Sequence, residues 1–178
     1  LSVCHTVVPE VGLRIPDIAA LVDSLDARRT LPQIEFIAGD DAVALVFRHL
    51  EPLSADDLAR LVDFAKASGL AVFLQPGGVD TVHALWPEEV PLAFSIQAYG
   101  LTLAFRPLDF IQVNAGINGK MIDSALDLLD PQPDDRVLDL FCGLGNFTLP
   151  LARRAGQVVG VEGEPGLVAR ARDNAARN

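Results

Sequence analysis

Cysteine occurs only twice, at Cys4 and Cys142, far apart in the chain. So sparse a set excludes a disulfide framework and fits a reducing compartment, so a cytoplasmic location is expected. Methionine occurs once, at Met121, and the chain begins with Leu1, so the sequence reads as a piece of something longer. No run of about 18 apolar residues is present, which leaves no candidate for a membrane-spanning helix. Basic residues are few. Fourteen Lys and Arg stand against 24 Asp and Glu, for a net charge of -10. That is the wrong sign for a surface whose task is to neutralise a phosphate backbone, so this chain by itself is expected to bind RNA weakly. What is present is a 178-residue chain, half of it hydrophobic, with room for one or two small domains.

Apolar spacing at Ile18, Leu21, Val22 and Leu25 behind Pro16 predicts an amphipathic helix over residues 16 to 28, ended before Pro32. Ile34 to Ala38 and Val43 to Phe47 flank Gly39-Asp40-Asp41 and read as a β-hairpin. Ser54 is a good N-cap for a helix whose face is Leu58, Leu61, Val62 and Ala65, closed by Gly69. Ala71 to Leu74 resumes as strand. Phe94 to Gln97 and Leu101 to Phe105 read as a second hairpin about Tyr99-Gly100. Residues 1 to about 105 therefore alternate strands and helices in an α+β arrangement. Ala115 to Leu129 reads as a helix stopped by Pro131 and Pro133, and Pro165 opens a last helix.

The most informative stretch runs from Val137 to Leu149 and continues at Val158 to Glu162. A Val- and Leu-rich strand delivers Gly143 and Gly145 to its C-terminal end, where missing side chains let a ligand approach the backbone. A helix is expected from about Asn146, and Val158 to Val161 as the next buried parallel strand, tipped by Glu162. That carboxylate can take both hydroxyls of a ribose. The dinucleotide pattern G-x-G-x-x-G fails at its last member, where Thr148 stands, which disfavours NAD. S-adenosylmethionine has no pyrophosphate and tolerates Asn146 and Phe147 at the turn. Asp139 and Glu162 make the pocket acidic, which suits a sulfonium cation. A dinucleotide and an empty structural turn remain the alternatives on the pattern alone.

Three segments carry a specific likeness: Asp109 to Gly116 (DFIQVNAG), Asp139 to Thr148 (DLFCGLGNFT) and Val159 to Gly163 (VGVEG). Together they resemble the bacterial RNA uracil-5-methyltransferases, and within them the iron-sulfur-containing branch that makes 5-methyluridine in 23S ribosomal RNA. The resemblance covers nearly the whole chain, most strongly from about Leu103. It implies an α/β fold: a partial class I, Rossmann-like, S-adenosylmethionine-dependent methyltransferase domain preceded by a central α+β domain. The boundary is then expected at residues 1 to 108 and 109 to 178. The resemblance also implies an RNA-binding barrel and a catalytic half beyond this chain, with 23S ribosomal RNA as the partner of the intact enzyme. Only two strands of such a sheet are present, so residues past Glu162 are expected to pack abnormally, and open sheet edges to favour self-association.

The resemblance assigns Gln112, Phe141, Asn146 and Glu162 to the cofactor, beside Asp139, Gly143 and Gly145 from the turn itself. Gln112 alternates with Ile111 and Val113, as Asn114 does, and an amide offers donor and acceptor without charge. A strand-end amide satisfying loop backbone is the alternative. Cys4 matches the last of four cysteine ligands to a 4Fe-4S cluster. With the other three absent it holds no cluster alone, and an ordinary small apolar residue is the other reading. Cys142 invites a role as the nucleophile that adds to C6 of uracil, but its place on the cofactor turn makes it a pocket or packing residue. By the resemblance, nucleophile and general base come later than this chain, which is therefore expected to be inactive alone. Sibling enzymes acting on transfer RNA and a non-catalytic binding module are the rivals. Arg170, Arg172 and Arg177 read as a solvated helix face, His49 and His83 as ordinary histidines, and Trp86 as a packing residue.

Overall fold

The computed structural model of the protein describes residues 2–178. The chain divides into two compact units, Leu1–Pro91 and Leu92–Asn178.

The first unit is a four-stranded mixed sheet with helices. After a short α1 (Pro9–Gly12) and α2 (Ile15–Ser24), β1 (Gln33–Ala38) and β2 (Val43–Arg48) form the expected hairpin, paired Gln33 to Arg48 through Ala38 to Val43. Helix α3 (Ala55–Ser68) then carries the chain over to β3 (Ala71–Gln75), which lies parallel to β2. The caps of α3 are the ones its sequence announces. Ser54 accepts from the Asp57 N–H, and Gly69 takes the left-handed conformation at φ 74°. Strand β4 (His83–Trp86) completes the sheet antiparallel to β3 through an irregularity at Val72/Phe73, giving the order β1-β2-β3-β4. Its four residues show no alternation, so only the partner reveals them as strand. Leu21, Leu25, Leu45, Phe47, Leu61 and Val72 close the core of this unit. Asp57 is buried at 1% exposure and accepts from the N–H groups of Asp26 and Ala27 and from Arg60, tying α3 to the chain after α2.

The second unit begins earlier than the expected boundary at residue 108. The hairpin of β5 (Ala93–Ile96) and β6 (Leu101–Ala104) belongs to it, because its inner residues Ile96, Leu101 and Leu103 are buried there and β6 meets the last helix. Helix α4 (Ala115–Leu129) follows, capped by Asn114, whose side chain accepts from the Ile117 N–H. Then come β7 (Arg136–Leu140), α5 (Thr148–Leu151), β8 (Gln157–Val161) and α6 (Pro165–Arg177). Strands β7 and β8 pair in parallel, with Leu138 opposite Val159 and Leu140 opposite Val161.

Two expectations fail here. The helix after the glycine turn is only the four-residue α5, starting at Thr148 and not near Asn146. Nor is β8 buried. Leu138 is 60% exposed, and Leu140, Val159 and Val161 are also open. A parallel pair is buried only when neighbouring strands and helices cover it. Here α5 is too short to do so, and a cavity of about 270 Å³ lined by Gly160, Thr148, Val168 and Ala171 separates α6 from β8. The last helix is held instead by two asparagines. The Asn174 and Asn178 amides each accept from and donate to the backbone of one β6 residue, Ala104 and Thr102 respectively. They thus supply side-chain partners to a free strand edge.

Candidate cofactor-binding site

At the end of β7 the chain makes a sharp reversal. Phe141 sits at φ 60°, Gly143 at φ 54° and Gly145 at φ 97°. Two of these are glycines, for which the left-handed region is free of penalty. Phe141 is not, and an aromatic residue held there costs about 1–2 kcal/mol. The reversal is fixed by the Cys142 N–H, which donates to the Val161 carbonyl at 3.0 Å, and by the Gly145 N–H, which donates to the Cys142 carbonyl at 2.9 Å. A Cβ built on Gly143 would meet nothing within 4 Å, so the missing side chain leaves open space beside the backbone.

Thr148 stands where a dinucleotide fold has its third glycine, and the structure shows why that works. Its hydroxyl donates to the Asp139 carboxylate at 2.5 Å, fastening the start of α5 to β7. The room that glycine would have provided comes from the next strand. A Cβ on Gly160 would lie 2.9 Å from the Cys142 sulfur and 3.3 Å from Thr148 Cγ2. Close packing of turn on sheet is thus kept with the small residue moved onto β8.

Gln112, Asp139, Phe141, Gly143 and Asn146 line one cleft, together with Phe94, Phe110, Leu144 and Phe147. Five of the seven expected cofactor residues therefore converge. Gly145 faces the cavity between α5, β8 and α6 instead, its Cβ position 3.1 Å from Leu149. Glu162 borders the turn without lining the cleft. Its carboxylate accepts from the Gly143 N–H at 3.0 Å, the Gly163 N–H at 2.7 Å and the Glu164 N–H at 3.1 Å. These amides, Glu164 first, hold its pKa below the ordinary glutamate range, so the group is ionised at neutral pH. Three of roughly four lone-pair sites are used. The carboxylate braces the loop, and taking both hydroxyls of a ribose requires it to give up at least one amide. Phe141 is 89% exposed and offers a free aromatic face beside the cleft.

The family model described as tRNA (uracil-5-)-methyltransferase matches residues 14–178. The chain belongs to that family. The chain is 68% identical over all 178 residues to the 23S rRNA (uracil(1939)-C(5))-methyltransferase RlmD of Xanthomonas campestris pv. campestris, and 62% identical to the protein of that name from Xylella fastidiosa. It spans 40% of the length of each of these relatives. Among solved structures, the Pyrococcus abyssi tRNA (uracil-54, C5)-methyltransferase in complex with S-adenosyl-L-homocysteine matches all of this chain and 46% of its own. The TM-score is 0.70 at 17% identity. The M. jannaschii tRNA m1G37 methyltransferase matches 94% of this chain and 48% of its own, with a TM-score of 0.54 at 12% identity. At such identities the likeness speaks to fold: a mixed α/β chain of the kind found in these methyltransferases.

Within this member of the family, Cys142 lacks the marks of a nucleophile. Burial first, then the nearby Asp139 charge, push its thiol up from the ordinary value, away from the thiolate that attack needs. Its sulfur packs over Gly160 on the inner side of the turn. Cys4 is a single half-buried thiol whose sulfur lies 3.1 Å from the Thr6 hydroxyl, and that contact draws its pKa down. Among the described residues no three His, Cys, Asp or Glu side chains gather at metal-binding distance, so Cys4 has no companion ligands here with which to hold a 4Fe-4S cluster. The backbone of Cys4 is nevertheless firmly placed. Its N–H donates to the Gly12 carbonyl, and a Cβ on Gly12 would strike the Cys4 carbonyl at 2.2 Å.

Sequence reasoning missed three supports of the site. Arg170, expected on a solvated face, is largely buried and donates to Asp109 at 2.6 Å. Asp109 also accepts from the Arg106 N–H, so α6 anchors the segment that leads into Gln112. Asn118 pairs with Asn146. Asn174 holds α6 against β6 and the Leu144 carbonyl. Each partner lies 28 to 70 residues away in sequence, beyond the reach of any local pattern. The readings of His49 and Trp86 also shift. His49 is buried with Nδ1 on the Glu51 carbonyl and Nε2 unpartnered. Trp86 is half exposed with the Lys66 ammonium 4.8 Å over its ring. No helix among the described residues is long and apolar enough to cross a membrane.

Proposed function

We propose that this chain forms the methyl-donor cradle of an S-adenosylmethionine-dependent enzyme that methylates C5 of a uridine in 23S ribosomal RNA. The observation that carries the reading is the convergence of Gln112, Asp139, Phe141, Gly143 and Asn146 on one cleft at the C-terminal end of β7, with Glu162 braced beside it. In an open α/β arrangement that is where ligands sit. Names borne by relatives at 62 to 68% identity favour 23S ribosomal RNA over transfer RNA as the acceptor.

When bound, the donor supplies an electrophilic methyl on a sulfonium sulfur. Glu162 is placed for the ribose, the Asn146 and Gln112 amides for the amino-acid end, and the open face of Phe141 for packing against the nucleoside. Asp139, held by Thr148, would add negative charge to a cleft that takes a sulfonium cation, and Phe110 and Phe147 give that cleft apolar wall. Addition of a thiolate at C6 would activate C5 for methyl transfer. Neither cysteine here is given that role: Cys142 is a packing thiol of the turn, and Cys4 is read as a cluster ligand. In this reading the second unit, Leu92–Asn178, is part of the methyltransferase domain and the first, Leu1–Pro91, a central α+β domain, with Cys4 contributing one ligand to a cluster completed elsewhere. The net charge of -10 leaves this chain a weak RNA binder, and the open edges of β7 and β8 give it a tendency to self-associate.

The reading is tested by radiolabelled methyl transfer from S-adenosylmethionine to 23S ribosomal RNA segments and to transfer RNA transcripts. A chain of the relatives' full length carrying these 178 residues is expected to label 23S RNA at uracil C5, and this chain alone to label neither. Labelling of transfer RNA only would replace the acceptor. Turnover by this chain alone would overturn the exclusion of its cysteines.

A further inference from the structure

Asn118 is out of character for its position. It lies on α4 in line with Ile122 and Leu126, at spacings of four, and those three are the buried residues of the helix. Asn118 is 4% exposed, in a stripe where an apolar side chain would serve packing alone and where an amide is costly unless it is bonded. Its bonding is complete in one direction. Nδ2 of Asn118 donates to Oδ1 of Asn146, and Nδ2 of Asn146 donates to Oδ1 of Asn118, both at 2.8 Å. A closed amide pair of this kind uses one N–H and one lone pair on each partner and leaves Asn146 one of each for the cleft it lines.

Left to itself, the terminal amide of an asparagine turns through broad, nearly two-fold wells, so Asn146 would offer oxygen or nitrogen to a ligand without preference. The partner lets Asn146 turn over only if Asn118, buried in the packed stripe, turns with it. If Asn146 turned over alone, oxygen would face oxygen and nitrogen would face nitrogen across the pair. We propose that Asn118 is a positioning residue that locks the Asn146 amide in one orientation for the amino-acid end of the methyl donor. This rests on the reading of Asn146 as a donor contact. The contribution is preorganisation: the amide is fixed before the ligand arrives, so less freedom is lost on binding.

Calorimetric titration of this chain with S-adenosylhomocysteine tests it, using Asn118→Ala, Asn118→Leu, Asn146→Ala and the double variant Asn118→Ala/Asn146→Ala. Both Asn118 variants are expected to bind about tenfold more weakly, the scale of one lost oriented hydrogen bond. The double variant should bind no more weakly than Asn146→Ala, because Asn118 acts only through that amide. Asn118→Leu restores the apolar stripe and should melt at or above the temperature of the unsubstituted chain while still losing affinity. A purely structural role predicts the reverse. If Asn146→Ala weakens binding but both Asn118 variants stay within twofold, or if the double variant is additive, the positioning role is overturned and the cofactor reading stands. If the unsubstituted chain does not bind, or Asn146→Ala binds normally, the cofactor reading itself fails.

Discussion

The two units of this chain use the same kinds of residue to opposite ends. In the first, β2 and β3 are buried almost throughout, Val, Leu and Phe side chains are covered, and even a carboxylate, Asp57, is sealed in and fully bonded. In the second, β7 and β8 carry an equally apolar sequence, yet Leu138, Leu140, Val159 and Val161 stand in the open. Composition cannot tell these strands apart. What separates them is neighbours: β2 lies between two strands, whereas β7 and β8 have only each other. The first unit therefore holds its energy in burial. The second has an apolar core too, around Leu103, Ile122 and Leu126, but about the β7–β8 turn its order rests on polar links, Glu162 on backbone amides, Asn146 on Asn118, Arg170 on Asp109 and Asn174 on β6.

The sharpest way to break this contrast is to remove matching side chains from each unit. Leu45→Ala deletes a fully covered side chain and should destabilise the first unit by about 3 kcal/mol in urea unfolding. Asp57→Ala leaves the Asp26 and Ala27 N–H groups without their acceptor and should cost about 2 kcal/mol in the same unit. A smaller, pH-dependent effect belongs to the second unit. The Glu162 pKa is lowered by folding, so its contribution is fully present above the ordinary glutamate value of 4.5 and is lost as pH falls through the lower folded value. The difference in melting temperature between the unsubstituted chain and Glu162→Gln should accordingly be constant from pH 7 to about 5 and shrink in more acid solution. Leu138→Ala should have the least effect, within about 0.5 kcal/mol, because there is little burial to lose. A cost near that of Leu45→Ala would show that the face is covered in solution and erase the contrast.

Much of the fold could be read from local pattern. Helix α4 spans Ala115–Leu129 as its spacing predicts, and α3 begins and ends on Ser54 and Gly69. Both hairpins and the β7 and β8 strands lie within a residue of expectation, since each is written in alternation and turn residues. Strand β4 was not legible, because four unpatterned residues become a strand only through β3. Of the site, the backbone part was legible, with Gly143 and Gly145 both at positive φ. The polar supports were not. Asn118 reads as an ordinary helix residue and Arg170 as a surface charge until the fold brings Asn146 and Asp109 beside them. Nor was the bracing of Glu162 legible, because nothing in the local sequence shows that three backbone amides bond its carboxylate.

The central claim is that a methyl donor lies across the turn after β7, and a crystal structure of this chain soaked with S-adenosylhomocysteine addresses it directly. The account predicts ribose hydroxyls on Glu162, with the Gly143 contact given up or shared, and the amino-acid end within hydrogen-bond distance of Asn146 and Gln112. Density for the ligand away from this turn, with Glu162 still closed on its three amides, would contradict it.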